Sequence, residues 1–314
     1  MNTRKLGITG VEVSAMCLGA MFFGTKTDRD ASYRALDGYL DGGGSFIDTA
    51  NGYAHWIEGG YGGESETLLG EWMRERGNRS DVFIASKVGF AYSDAERGLT
   101  ARQIEEECNK SLKRMGIDTI DLYYAHVDDR NTPLEETLEA YDRLVQTGKI
   151  RFVGASNYVP WRLEQAKSIS EANGWSQFCC IQQRYTYLKP KPGASFGAQV
   201  WTTEELRDYC QNSGISLLAY GVLLAGAYTR SDRPMPDQFD DPVNEPRRAV
   251  LDAVAAETDA TVNQVILKWM MQSDPPVIPL IAASSDAQLA ENLGTLQVNL
   301  SADQMERLNS AGIA

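Results

Sequence analysis

Short, nearly unbroken apolar runs alternate along the whole chain with longer stretches whose apolar residues recur at helical spacing. The strand-like runs are VSAMCLG (13–19), SFIDTA (45–50), DVFIASK (81–87), TIDLYYAH (119–126), IRFVGAS (150–156), FCCIQQ (178–183), ISLLAY (215–220) and PVIPLIA (276–282). Most are continuous rather than alternating, the pattern of parallel strands buried on both faces. Between them SYRALDGYLDGG and SETLLGEWMRERG read as helices ending in glycine. TARQIEEECNKSLKRMG opens on Thr100 with acidic residues early and basic ones late, as the helix dipole favours. TPLEETLEAYDRLVQTGK places Thr132 as N-cap and Pro133 in the first turn. Eight strands with intervening helices predict an α/β fold, a closed (β/α)8 TIM barrel, with the surplus helices added at its periphery. The opening RKLGITGVEVS differs: two short runs around Ile8, Thr9 and Gly10 predict an N-terminal β-hairpin closing the barrel's bottom. The one long irregular stretch, 228–245, follows the last strand but one and reads equally as a functional loop or a surface excursion.

A doubly wound nucleotide-binding sheet would carry GxGxxG after its first strand. LGAMFFG stands there instead, and the glycine-dense GGYGGES (59–65) has neither dinucleotide spacing nor a Walker lysine. The 314 residues fall within the range of one barrel, so residues 1–314 read as a single domain. No apolar run reaches the roughly 18 residues of a membrane span, and the first residues lack a secretory pattern. A cytoplasmic location without membrane attachment is the expectation. The net charge of −13 opposes binding to nucleic acid, yet leaves room for a local basic pocket around a nucleotide. Five cysteines (Cys17, Cys108, Cys179, Cys180 and Cys210) with no CxxC suggest neither a disulfide framework nor a zinc site. With only His55 and His126 as imidazoles, no metal is expected.

Candidate chemistry sits where apolar runs end. Asp48 closes GSFID, Lys87 closes DVFIASK, His126 closes TIDLYYAH, and Tyr53 lies five positions past Asp48. Singly, each has a bland reading: a cap, an ion-pair partner, a core histidine, a packed loop ring. Jointly they place a carboxylate, an ammonium, an imidazole and a phenol on the barrel face where such folds keep their sites. A nearby ammonium is expected to lower the phenol's pKa from about 10, with Asp48 holding Lys87 and His126 polarising a carbonyl. A general acid of this kind still needs a hydride from a cofactor.

The chain resembles the aldo-keto reductase family over essentially its whole length. The resemblance rests on FIDTANGY (46–53), GESETLLGEWM (63–73), FIASKVG (83–89), IDLYYAHVDD (120–129), VGASNY (153–158), IQQRYTYL (181–188), LLAYGVLLAG (217–226) and PLIAASSDAQLAENL (279–293). It implies that Asp48, Tyr53, Lys87 and His126 form the catalytic tetrad, with Tyr53 as proton donor. It implies that Ser156, Asn157 and Gln182 hold a nicotinamide carboxamide and that Tyr220 stacks on the ring. It assigns the pyrophosphate to the loop Gly221–Gly226, including Leu223, and the adenosine end to Ala282, Ala283, Ser284, Gln288 and Asn292. Met21 and Phe22, with Trp56, are expected to line the substrate pocket.

Two departures stand out. Many relatives place a basic residue for the 2′-phosphate of NADP where this chain has Ser284, and 280–292 hold no Lys or Arg. NADP(H) is the cofactor implied, with NAD(H) as the alternative; serine hydroxyls and a helix N-terminus also bind phosphate. The second departure is the insert AHWIEGGYGG (54–63), which brings His55, Trp56 and Tyr61 to the pocket mouth or merely shields the barrel top. The implied function is NAD(P)H-dependent reduction of an aldehyde or ketone. The alternatives are an NAD(P)+-dependent sugar or alcohol dehydrogenase and a non-catalytic nicotinamide-binding regulatory module. The last would be expected to carry a tail, whereas GIA follows the final helix closely. The partner is a small carbonyl or alcohol; nothing in the sequence sets the oligomeric state.

Overall fold

The computed structural model describes residues 1–93 and 95–312; Asp94, Ile313 and Ala314, hence part of the closing GIA, lie outside the described residues. Strands β1 (Thr3–Lys5) and β2 (Glu12–Ser14) form an antiparallel hairpin in which Arg4 faces Val13 across the pair. Eight parallel strands then close a barrel: β3 (Cys17–Gly19), β4 (Phe46–Asp48), β5 (Phe83–Val88), β6 (Ile120–Ala125), β7 (Ile150–Ser156), β8 (Phe178–Arg184), β9 (Ser216–Tyr220) and β10 (Val277–Ile281), with β10 pairing back onto β3. The expected (β/α)8 barrel is therefore the observed one.

The run 13–19 divides between two strands, because the chain turns at Ser14. Its hydroxyl accepts from the backbone N–H groups of Ser45 (3.2 Å) and Phe46 (3.0 Å) and meets the Tyr39 hydroxyl at 2.8 Å. Polar groups at the entry to β4 are thus satisfied by a residue the apolar pattern assigns to a strand interior.

Continuous apolar strands follow from the two faces each must bury. Period-2 alternation sends Phe46, Phe83, Ala85, Leu122, Tyr124, Cys180, Leu218 and Ile278 into the barrel. Their neighbours Ile47, Ile84, Val153, Ala155, Ile181, Leu217 and Ala219 join the larger core beneath the helices. Hairpin residues Leu6 and Val13, both fully buried, close the lower end of the interior cluster. Each such burial is worth roughly 1.5–3 kcal/mol. Tyr124 fits inside only because Gly154 faces it across the β6–β7 pair: a Cβ there would lie 2.6 Å from the tyrosine ring.

Around the barrel run α1 (Arg29–Asp41), α2 (Glu64–Arg76), α3 (Ala101–Met115), α4 (Leu134–Gln146), α5 (Pro160–Asn173), α6 (Glu204–Ser213), α8 (Val262–Gln272) and α9 (Asp286–Gly294). The additions are α7 (Asn244–Glu257), against α8, and α10 (Ala302–Ser310), against α7. Thr100 and Gln103 form a reciprocal capping box on α3. Thr132 does not cap α4; it donates to Asp129 Oδ2 at 2.6 Å, and Pro133 takes the N-cap position. The stretch 228–245 is anchored rather than free: Phe239 is buried against Phe196 and Trp201, and Lys191 pairs with Asp237 at 2.8 Å. Among the described residues no helix is long and apolar enough to cross a membrane.

Overpacking a filled barrel interior costs about 1–3 kcal/mol. Gly154→Ala is expected to lower the unfolding free energy by that amount in chemical denaturation; an unchanged denaturation midpoint would show that Tyr124 has room to move.

Candidate active site

The layer above the barrel's apolar interior is polar, and strand alternation builds it. Asp48 shares an inward face with Phe46, Lys87 with Phe83 and Ala85, and Gln182 with Cys180. Asp48 and Lys87 are buried, Lys87 completely. An ammonium has three protons to donate, and all three are used. They go to an Asp48 carboxylate oxygen in a short contact, to the Thr49 carbonyl at 2.8 Å and to the Tyr53 hydroxyl at 2.8 Å. The other Asp48 oxygen accepts from Gln182 Nε2 at 2.8 Å. The Tyr53 oxygen thus accepts from Lys87, with the Asp48 carboxylate close enough to interact with the phenol as well.

His126 follows β6, its backbone N–H bonded to the Val88 carbonyl at 2.8 Å. Its ring lies edge-on to Tyr53, with centroids 5.9 Å apart, and to Phe90 at 4.7 Å. Burial, and then the Lys87 charge, push the imidazole's pKa well below its ordinary value, so the ring is neutral near pH 7. The phenol runs against the sequence-based expectation. Burial, followed by the Asp48 carboxylate, pushes Tyr53 well above the ordinary phenol value. Burial is the larger cause, and Asp48, paired with the same ammonium, adds to it. Lys87 itself is lowered by burial, with Asp48 opposing the change.

The loop carrying Tyr53 is held from behind by groups whose role the sequence gives no sign of. Asn51 donates to Glu107 Oε2 of α3 at 2.7 Å, and the Tyr92 hydroxyl donates to the same oxygen at 2.6 Å. The Tyr92 ring lies between Gly52 and Gly62, where added Cβ atoms would come within 3.0 and 2.4 Å of it. One tyrosine from the loop after β5 thus clamps both ends of the segment that includes the insert. At the insert itself, His55 bonds the Gly52 carbonyl at 2.8 Å, and Trp56, 53% exposed, packs edge-on to His55. Met21 and Phe22 sit half-buried after β3, with Lys26 over the Phe22 ring at 5.0 Å. Among the described residues, the ring contacts of Trp56 and Phe22 go to these neighbours rather than to the four polar residues.

The candidate cofactor residues gather in two groups. Asn157, at φ 61°, donates to the His126 carbonyl (2.9 Å) and Ser156 Oγ (3.0 Å), and accepts from the Tyr220 hydroxyl at 2.7 Å. Tyr220 is thereby locked beside the tetrad, with the Arg184 guanidinium 5.6 Å from its ring centroid. Beyond it Gly221, Leu224, Ala225 and Gly226 all have left-handed backbones. For Leu224 and Ala225, which carry a Cβ, such a backbone is costly. The second group lies at α9. Ser284 donates through both its N–H and its hydroxyl to Gln288, and Asn292 donates to the Ala282 carbonyl at 3.0 Å. Ser284 and Gln288 are exposed, Ser285 caps the helix, and Arg34 pairs with Asp286 at 3.3 Å. A π-face locked by hydrogen bonding, left-handed backbone and an exposed helix N-terminus suit the ring, pyrophosphate and adenosine parts of a dinucleotide.

Residues 15–313 match the model of the aldo/keto reductase family. The chain is similar to an uncharacterized oxidoreductase, YrpG, from Bacillus subtilis, at 30% identity across 98% of this chain and 95% of that protein. It is also similar to an aryl-alcohol dehydrogenase from Pestalotiopsis microspora, at 29% identity over 95% of this chain and 78% of the other. A norsolorinic acid reductase B from Dothistroma septosporum matches at 27% over 99% and 81%. Among solved structures, the thermostable aldo-keto reductase Tm1743, crystallised with the inhibitor epalrestat, superposes with a TM-score of 0.79 at 28% identity, covering 99% of this chain and 100% of that one.

The pKa directions carry a pH signature. With His126 lowered and Tyr53 raised, both groups keep their protons fixed as pH crosses the ordinary histidine value of about 6.5. For carbonyl reduction, kcat/KM is expected to stay level from pH 6.5 to about 9. A fall with an apparent pKa near 6.5 as pH rises would mean that a protonated imidazole, not the phenol, is the acid.

Proposed function

The chain belongs to the aldo/keto reductase family and is an NAD(P)-dependent oxidoreductase, and from that premise we propose that it reduces aldehydes or ketones to alcohols with Tyr53 as the proton donor. The observation that supports this reading is the saturated Lys87 ammonium, which uses the Tyr53 oxygen as an acceptor and so favours a phenolic O–H turned to a substrate oxygen. The phenol stays protonated at working pH because burial raises its pKa. It need not be acidic, because the oxygen it protonates becomes a far stronger base than a phenolate as hydride reaches the adjacent carbon. Neutral His126 is suited to donate a hydrogen bond to the same oxygen and orient it. Asp48 and Gln182 act behind Lys87, fixing where its charge sits.

Bound NAD(P)H would supply the hydride, which no side chain provides. Ser156, Asn157, Gln182 and Tyr220 would hold its nicotinamide end. The 221–226 loop would hold the pyrophosphate, and Ala282, Ser284, Gln288 and Asn292 the adenosine. For substrate we propose an aromatic aldehyde or ketone, received between Met21, Phe22, Phe90 and Trp56. Phe90 touching His126 and the aryl-alcohol name of one relative support that choice. The same name favours the reverse oxidation of an alcohol as the second reading, and one site serves both directions by microscopic reversibility. We further take residues 1–314 as one domain working in the cytoplasm on small molecules, since the hairpin and both added helices pack on the one barrel.

Tyr53→Phe keeps the ring and removes the proton. It is expected to lower kcat for reduction of 4-nitrobenzaldehyde, followed at 340 nm, by on the order of 10²–10⁴, with cofactor affinity little changed. A variant retaining the wild-type rate would remove Tyr53 from the mechanism.

At the adenosine end we propose that NADP(H) is preferred and NAD(H) also accepted. Serine hydroxyls, the α9 N-terminus and Arg34 are available for a 2′-phosphate, but Asp286 already claims Arg34. The ratio of kcat/KM for NADPH over NADH is expected to stay under about a hundredfold, or about 2.7 kcal/mol. A larger ratio would contradict dual use.

A further inference from the structure

At the end of the barrel opposite the tetrad, a recess of about 370 Å³ opens between β1 and α8. Arg4, Lys268, Asn2 and Asn299 supply its polar lining, Ala15 and Met271 part of its apolar lining. Arg4 and Lys268 bring two cations to one small space. One Arg4 nitrogen donates to the Met271 carbonyl in a short contact, while its Nε is buried with no partner among the described residues. Neither cation has a carboxylate within ion-pair distance among those residues. Other enclosed guanidiniums here are matched: half-buried Arg114 with Glu66, Arg162 with Asp128, Arg247 with the carbonyls of Tyr187 and Ala311, and Arg207, whose Nε is also unpartnered, with Glu204. In a chain of net charge −13, surplus positive charge is the wrong sign to arise from the bulk balance. Burial and the nearby Arg4 charge both push the Lys268 pKa down, as expected of a partly desolvated ammonium facing a like charge.

We propose that this recess is an anion site, in which a phosphate group sits between Arg4 and Lys268 with the side-chain amides of Asn2 and Asn299 beside it. A planar guanidinium and a point-charge ammonium are the usual pair for phosphate oxygens. The volume exceeds that of free orthophosphate, and Ala15 and Met271 offer apolar surface, so a small phosphate monoester suits the recess better than the bare ion. Arg4 belongs to the hairpin that closes the barrel and Lys268 to α8. The bound group would therefore tie the hairpin to the wall and stabilise the fold by mass action, remote from the chemistry.

Thermal denaturation of the full chain, saturated with NADP+ so that phosphate does not report on the cofactor site, tests this. Inorganic phosphate and glycerol 3-phosphate are each titrated against potassium chloride of equal ionic strength. The expected result is a saturable rise in Tm, half-complete at millimolar ligand and at lower concentration for glycerol 3-phosphate. The midpoint should weaken at least tenfold in Lys268→Gln and be largely kept in Lys268→Arg. In chloride alone, Lys268→Gln should be no less stable than wild type, because a repulsion has been removed, and its turnover should be unchanged. Equal, unsaturated rises in wild type and Lys268→Gln would overturn the proposal, since they signify general salt exclusion. Equal midpoints for the two ligands would assign the site to free phosphate. Should Lys268→Gln fail to fold, phosphorus-31 line broadening of either ligand by the wild-type protein decides; no saturable broadening below about 10 mM overturns the proposal.

Discussion

A fully buried ammonium tolerates its position only if every proton it carries is matched, and that requirement organises the top of this barrel. Lys87 lies inside at the height of Asp48, Tyr53 and the Thr49 carbonyl and donates to all three. Losing one partner would leave a desolvated charge, a fault worth several kcal/mol. The constraint reaches back along the chain. Asp48 must end β4 at the register that brings it against β5, and the chain must turn after it so that the Thr49 carbonyl and the phenol approach from the same side. The same contacts that place Tyr53 beside Lys87 are the ones that satisfy the lysine, which makes the site part of the fold's own stability.

Beneath that layer the barrel is filled, and the filling sets the site's height. Tyr124 occupies the space left by Gly154, and Leu6 and Val13 close the lower end, so side chains at the strand tops have nowhere to sink. Behind the tetrad loop, Tyr92 and Asn51 converge on one Glu107 oxygen. The phenol is therefore held from below by Lys87 and from behind by α3. Such two-sided support fixes the position of the phenol, as the proposed proton transfer requires.

Much of this was legible in the chain. Seven barrel strands fall within two residues of their apolar runs, because a strand buried on both faces leaves an uninterrupted hydrophobic signal. Asp48, Lys87 and His126 were visible because a polar group closing such a run has no packing reason to be there. What escaped has physical causes. The division at Ser14 rests on a hydroxyl satisfying backbone groups of β4, 31 and 32 positions away. The Asn51–Glu107 contact spans 56 positions, and the Thr49 carbonyl has no residue-type signature at all. The direction of the Tyr53 shift depends on how completely the group is enclosed and on Asp48 sharing its ammonium, neither of which a list of residue types contains. The anchoring of 228–245 was hidden likewise, since one buried Phe239 outweighs a polar, proline-rich composition.

The ring of Tyr92 standing between Gly52 and Gly62 also sets which parts of this segment can change. The two glycines and the tyrosine form a collar around the segment that bears Tyr53. Outside it Glu58 and Gly59 project from the turn, while Gly60 is held close, since a Cβ there would come within 2.2 Å of the Ala54 carbonyl. A side chain in place of either collar glycine would have to displace the Tyr92 ring and, with it, the support behind the Tyr53 loop.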